Sequence, residues 1–199
     1  MAEHKGYDRL VNFTDAVVAI AATLLILPVV EAASNVNDGS VDTFMVSVVP
    51  QLLMFLLSFV VIGNFWLEHH RLFRRIDKFD TPTILMNFLW LIGVVVMPVP
   101  TALVVRGNSH DAVSVSFYIG TMLWISLVQY LMAEWVHQHP ELEHGSAPLP
   151  IRVLGPRVAV FYMALAWVIG VSFPGIGLWA LMVMFFVPVT VRIVKRAKS

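Results

Sequence analysis

Asp15 stands inside a stretch that is otherwise built to cross a bilayer: Arg9-Leu-Val-Asn12-Phe13-Thr14-Asp15, then Ala-Val-Val-Ala19-Ile20-Ala-Ala-Thr23-Leu24-Leu25-Ile26-Leu27. A carboxylate six residues past Arg9 lies about 9 Å further along a helix, at 1.5 Å per residue. An intramembrane Asp costs about 2.5–3.5 kcal/mol on insertion scales, and such groups face the protein interior and pair. Arg9 cannot be the partner, because six residues turn a helix through roughly 240°. The partner must come from another helix, and His69, His70 and Asn87 lie near the same membrane end. Such a group can act as a polar lock that fixes the first helix. It can also relay protons through Asp15 and the histidines, or serve folding alone.

Beyond Asp15 the helix turns small and apolar. Ile20, Leu24 and Leu27 recur at i, i+4 and i+7, which is one helical face, with Thr23 at its border and Ala16 and Ala19 before it. Such a stripe packs one helix against another. In symmetric copies it would instead line a passage, where rings of bulky apolar side chains gate ion flow by dewetting. A ring of Thr23 hydroxyls would then offer oxygens to a partly dehydrated cation. Periodicity does not choose between the two.

The elements that must position these residues follow from composition. The chain has 199 residues, 58% hydrophobic and 13% charged, with a mean hydropathy of +0.79. Soluble domains are about 45–50% apolar and about 25% charged, so lipid must cover much of this surface. An all-α membrane fold is expected, as a single domain over 1–199. Six stretches reach the roughly 20 apolar residues a crossing needs, at about 8–30, 44–68, 82–105, 112–136, 153–173 and 176–194. Pro28 and the polar run from Ser34 to Asp42 close the first. Pro98 and Pro100 kink or end the third, since each lacks a backbone donor. Phe173-Pro174-Gly175-Ile176-Gly177 makes a tight hairpin between the last two. A cleaved leader is not expected, because Asp15 interrupts the first apolar core and five more spans follow.

Orientation follows from the basic residues. Lys5 and Arg9, then Arg71, Arg74, Arg75 and Lys78, then Arg152 and Arg157, then Arg192, Lys195, Arg196 and Lys198 all fall on one side. These are twelve of the thirteen lysines and arginines, and Arg106 alone falls opposite. The opposite loops carry Glu31, Asp38, Asp42 and Asp111. Both termini are therefore expected in the cytoplasm.

Arg9-x-x-x-Phe13-Thr14-Asp15 with Ala19-Ile20-x-x-Thr23-Leu24-Leu25-x-Leu27 resembles the first-helix motif Arg-x-x-x-Phe-Ser-Asp of the transmembrane protein 175 family, the lysosomal and prokaryotic potassium channels. Thr14 replaces the serine and keeps its hydroxyl. Ser58-Phe59, Trp66-x-x-His69-His70-x-x-Phe73, Asn87 and Pro98-x-Pro100-Thr101 extend the similarity through the second and third helices, about half the chain. The resemblance implies a cation channel whose first helices line the pore, four copies forming a homotetramer from this single repeat. It implies that Ile20 is the narrow hydrophobic constriction, that Leu24 and Leu27 are further rings, and that Thr23 contributes to potassium preference. Arg9, Phe13, Thr14, Asp15, His69, His70 and Asn87 would then form a structural polar network at the cytoplasmic side. No Thr-Val-Gly-Tyr-Gly loop is present, so selectivity would rest on side chains and pore width rather than on a carbonyl filter.

Other chemistry is poorly supplied. The chain has no cysteine and no evident Ser-His-Asp spacing, so it is not read as an enzyme. His137, His139 and His144 with Glu141 and Glu143 have the composition of a zinc loop, but read more simply as a solvated one. A substrate transporter would show polar groups at midplane and inverted repeats, whereas this midplane is dry apart from Thr23. No cofactor is expected beyond the permeant potassium ion. The expected partners are further copies of the chain, monovalent cations and the lipid of a cell inner membrane, with no nucleic acid. A potassium-preferring channel, a proton-conducting one and a non-conducting scaffold of small-residue helices remain as readings.

Overall fold

The computed structural model describes residues 2–34, 41–107, 111–143, 153–173 and 175–197. Asp38, His144, Arg152, Pro174 and Lys198, which entered the sequence reading, lie outside the described residues. Eight α-helices, α1 (Ala2–Leu24), α2 (Leu27–Ser34), α3 (Val41–Phe73), α4 (Thr81–Val96), α5 (Pro98–Gly107), α6 (Ala112–Gln138), α7 (Leu154–Ser172) and α8 (Val187–Ala197), carry the described chain. They make six apolar segments long enough to cross a membrane, with α1 and α2, and α4 and α5, each sharing one.

The breaks inside spans have local causes. Pro28 has no N–H to donate to the Leu24 carbonyl, and Ile26 turns back to the Thr23 carbonyl at 3.3 Å. The first helix therefore ends at Leu24 rather than near residue 30, and α2 restarts at Leu27. In the third span the chain breaks at Met97, and Pro98 and Pro100 open α5, as the missing donors require. The sixth span departs from the expected α-helix: Gly177–Phe186 is a 3-10 helix entered through Gly177 at φ 54°, and only Val187–Ala197 is α-helical. The second helix runs on to Phe73, past the expected end near residue 68.

Asp80 fixes the corner between α3 and α4. Its carboxylate accepts from the Thr83 N–H at 3.0 Å, capping α4, and from the Trp135 indole N–H at 2.8 Å. Partial burial pushes this carboxyl upward, but the hydrogen bonds from Thr83 and Trp135 outweigh it and hold the group below its usual range.

The fourth span is the hub, 56% buried against 22% for the first and 11% for the sixth. Tyr118, Ile119, Ile125, Met132 and Val136 on α6 are buried with Trp90 and Val94 of α4. Gly93 permits that approach, since a Cβ there would fall 2.6 Å from the Ile125 side chain.

Candidate pore helix and its polar anchors

The first span has two unlike faces. Thr14, Val18, Ala21 and Leu25, at helical spacing, are buried against the rest of the subunit. Ile20 is 60% exposed, Leu24 40% and Leu27 50%, and Ala16, Ala19 and Thr23 are exposed with them. A residue at 20 lies roughly 200° around the helix from one at 18, so the apolar stripe points away from its own subunit. The expected continuous face is interrupted, because Ile20 and Leu24 stand on α1 while Leu27 stands past the turn on α2. The Thr23 hydroxyl donates to the Ile20 carbonyl at 2.7 Å. Its only proton is thereby used, so its lone pairs remain for an outside partner, which suits a cation.

The anchors sit on the buried side. Asp15 accepts from the Trp66 indole N–H at 2.8 Å. That partner differs from the histidines and Asn87 considered above. Asn87, fully buried on α4, donates from Nδ2 to the Thr14 hydroxyl at 3.0 Å. Its Oδ1 lies 2.8 Å from His69 Nε2, and an amide oxygen can only accept, so His69 donates. The His69 ring is stacked between Phe73 and Trp90, each at 4.1 Å between centroids. One side chain of α4 thus ties α1 to α3.

Three residues expected in the network are not hydrogen-bonded into it. Arg9 is exposed, with the long side chain of an arginine at a membrane end free to reach headgroups. Phe13 packs on Phe88 at 6.1 Å, an apolar contact. His70 stacks on Trp66 at 5.4 Å, because adjacent residues point about 100° apart on a helix and His69 takes the inward direction. His139, from the histidine-rich loop, stacks on Trp135 and pairs its Nδ1 with the Trp135 carbonyl at 2.9 Å.

A second buried layer was not foreseen. Thr101 Oγ1 lies 2.8 Å from the Met97 carbonyl and 3.1 Å from Ser58 Oγ, which is 3.1 Å from the Tyr118 hydroxyl. Thr101 is the donor in both contacts, its one proton shared between the Met97 carbonyl and Ser58 Oγ, and the Ser58 and Tyr118 hydroxyls pair with each other. This chain ties α3, α5 and α6 together and adds a second donor to the Met97 carbonyl, which already accepts from the Thr101 N–H at 3.2 Å.

Residues 9–98 match the family described as "Endosomal/lysosomal potassium channel TMEM175". A potassium channel of Chamaesiphon minutus is 36% identical over 129 residues, which are 63% of this chain and 64% of that protein. The human endosomal/lysosomal proton channel TMEM175 is 25% identical over 138 residues, 68% of this chain and 27% of that one. The crystal structure of a lysosomal potassium-selective channel TMEM175 homolog from Chamaesiphon minutus superposes with a TM-score of 0.71 at 25% identity, covering 98% of this chain and 100% of that chain. The chain spans just under two thirds of the length of the bacterial relatives it matches, 64%, 63% and 62% for three of them. With its six apolar spans it is a multi-pass membrane protein.

Proposed function

We infer that this chain, which belongs to the TMEM175 family through residues 9–98, is a potassium-preferring cation channel of a cell inner membrane. Four copies surround a central passage, with both termini in the cytoplasm. One observation carries the reading: Ile20, Thr23 and Leu24 on α1 and Leu27 on α2 all lie on the surface that the subunit leaves uncovered, while the opposite face of α1 is anchored. Isoleucine and leucine rings then form the constriction, which blocks ions by excluding water. The Thr23 hydroxyls, already donating to the Ile20 carbonyl of their own helix, act as acceptors toward a cation that has shed part of its hydration.

Bilayer recordings on the reconstituted protein test this. With potassium on one side and sodium on the other, the reversal potential is expected to favour potassium. The proton reading has its own support in the human relative, which is named a proton channel. A clear reversal shift in a pH gradient with none between potassium and sodium would select it, and absence of current would leave the scaffold.

Asp15 belongs to the anchoring face in this reading. Asp15→Ala is expected to lower the yield of assembled oligomer, seen by size-exclusion chromatography, more than it changes the potassium-to-sodium ratio. Normal assembly with an altered ratio would move Asp15 into the ion path.

A further inference from the structure

We propose that the cleft between the arginine-bearing end of α3, the second half of α6 and the start of α7 binds one anionic phospholipid, with the phosphate at Arg71 and Arg75 and an acyl chain along its apolar wall. The cleft has a volume of about 410 Å³. Arg71, Arg75 and Glu68 stand at its charged side, Ser126 and Gln129 at its back, and Phe65, Leu72, Ala159 and Val187 along its wall.

Four features converge on a ligand. Gln129 is only 7% exposed, lines the cleft, and its Oε1 has no hydrogen-bond partner. Buried amide oxygens are almost always paired, and the free hydroxyls of a glycerol headgroup supply the missing donor. Ser126, about one helical turn before it and 7% exposed, adds a second polar group to the lining. Arg71 is shared with Glu68 at 2.5 Å, whereas the Arg75 guanidinium has no partner among the described residues. Two arginines against one carboxylate leave the mouth positive. Gly155 and Pro156 bring the first turn of α7 to the cleft, and no side chain caps that helix start. Pro156 carries no N–H and the Arg157 N–H is taken by the Val153 carbonyl at 3.0 Å, so at most the Leu154 and Gly155 N–H groups of this helix start are open to a phosphate.

The wall decides for lipid over a free anion. A soluble phosphate would leave Phe65, Leu72, Ala159 and Val187 facing an empty apolar groove, whereas an acyl chain fills it. Basic pockets between spans are the usual seat of anionic headgroups. The inference does not depend on conduction.

Native mass spectrometry of the full-length protein tests it, with phosphatidylglycerol and phosphatidylcholine of identical chains as probes. Phosphatidylglycerol is expected to stay bound at activation energies that strip phosphatidylcholine. Replacing both arginines, Arg71→Gln with Arg75→Gln, is expected to lower its occupancy about thirtyfold, a factor of about five per arginine. Gly155→Phe keeps both charges and blocks the cleft, because a side chain at 155 starts in open space with no protein atom within 4 Å of its Cβ. It too is expected to abolish selective retention, and it decides the matter if the double variant does not fold. Equal retention of the two lipids, or phosphatidylglycerol bound normally by Gly155→Phe, would overturn the site. Displacement of phosphatidylglycerol by millimolar inorganic phosphate would overturn the lipid as its occupant.

Discussion

Ile20→Asn is expected to raise single-channel potassium conductance by about tenfold, which corresponds to about 1.4 kcal/mol off the barrier to passage. The isoleucine is 60% exposed on the face opposite Val18 and Ala21, so its replacement removes no contact of the subunit's own core. What changes in the proposed pore is wetting: an amide in place of a branched alkyl group would let water, and so a hydrated cation, stay in the ring assigned to residue 20. Single-channel recording in planar bilayers separates this from any effect on insertion, because open-channel current does not depend on how many channels are present. If the stripe faces lipid, the amide will lower membrane insertion and leave unitary current alone. Unchanged current in Ile20→Asn beside altered current in Leu27→Asn would place the narrow ring on α2, beyond the break.

That break shows where sequence patterns stop informing. Pro28 reads as an end to the first helix, but proline fits the first turn of a helix as well as it ends one, and here it opens α2. The six crossings were legible because hydropathy over about 20 residues needs no partner to be seen. The 3-10 stretch Gly177–Phe186 was not, since a nearly continuous apolar run is equally compatible with 3.0 and 3.6 residues per turn. Among the anchors, His69 and Asn87 stood out as polar groups in apolar helices. Trp66 did not, although it lies three residues before His69 on the same face, because an indole in a membrane is counted as an aromatic before it is counted as a donor. The Tyr118, Ser58 and Thr101 chain joins residues 60 and 43 positions apart, and no spacing rule reaches across that distance.

Asn87→Leu tests the other half of the assignment, that the face opposite the stripe holds the first span by buried hydrogen bonds. Leucine is close in size, so the change removes two hydrogen bonds while opening little space. It leaves the hydroxyl of Thr14, a residue 1% exposed, and Nε2 of His69, a residue 2% exposed, without their partner. Interhelical hydrogen bonds in membranes are worth about 0.6 kcal/mol on average and about 1.7 kcal/mol at most by double-mutant cycles. Orphaning a buried polar group costs about 1–3 kcal/mol, and the orphans therefore decide the result. The threonine can recover by turning its proton to a carbonyl of its own helix. The histidine, stacked between Phe73 and Trp90, has no such escape, so the expected loss is about 2–4 kcal/mol in total. Denaturant unfolding in detergent micelles reads it directly. Combining the change with Thr14→Val should then cost less than the sum of the two, since the second substitution removes an acceptor that has already lost its donor. Strict additivity would mean that Asn87 does not hold α1. An Asn87→Leu protein that unfolds early yet keeps the proposed potassium preference is the result that separates anchoring from selection, because the network lies on the side of the helix turned away from Thr23.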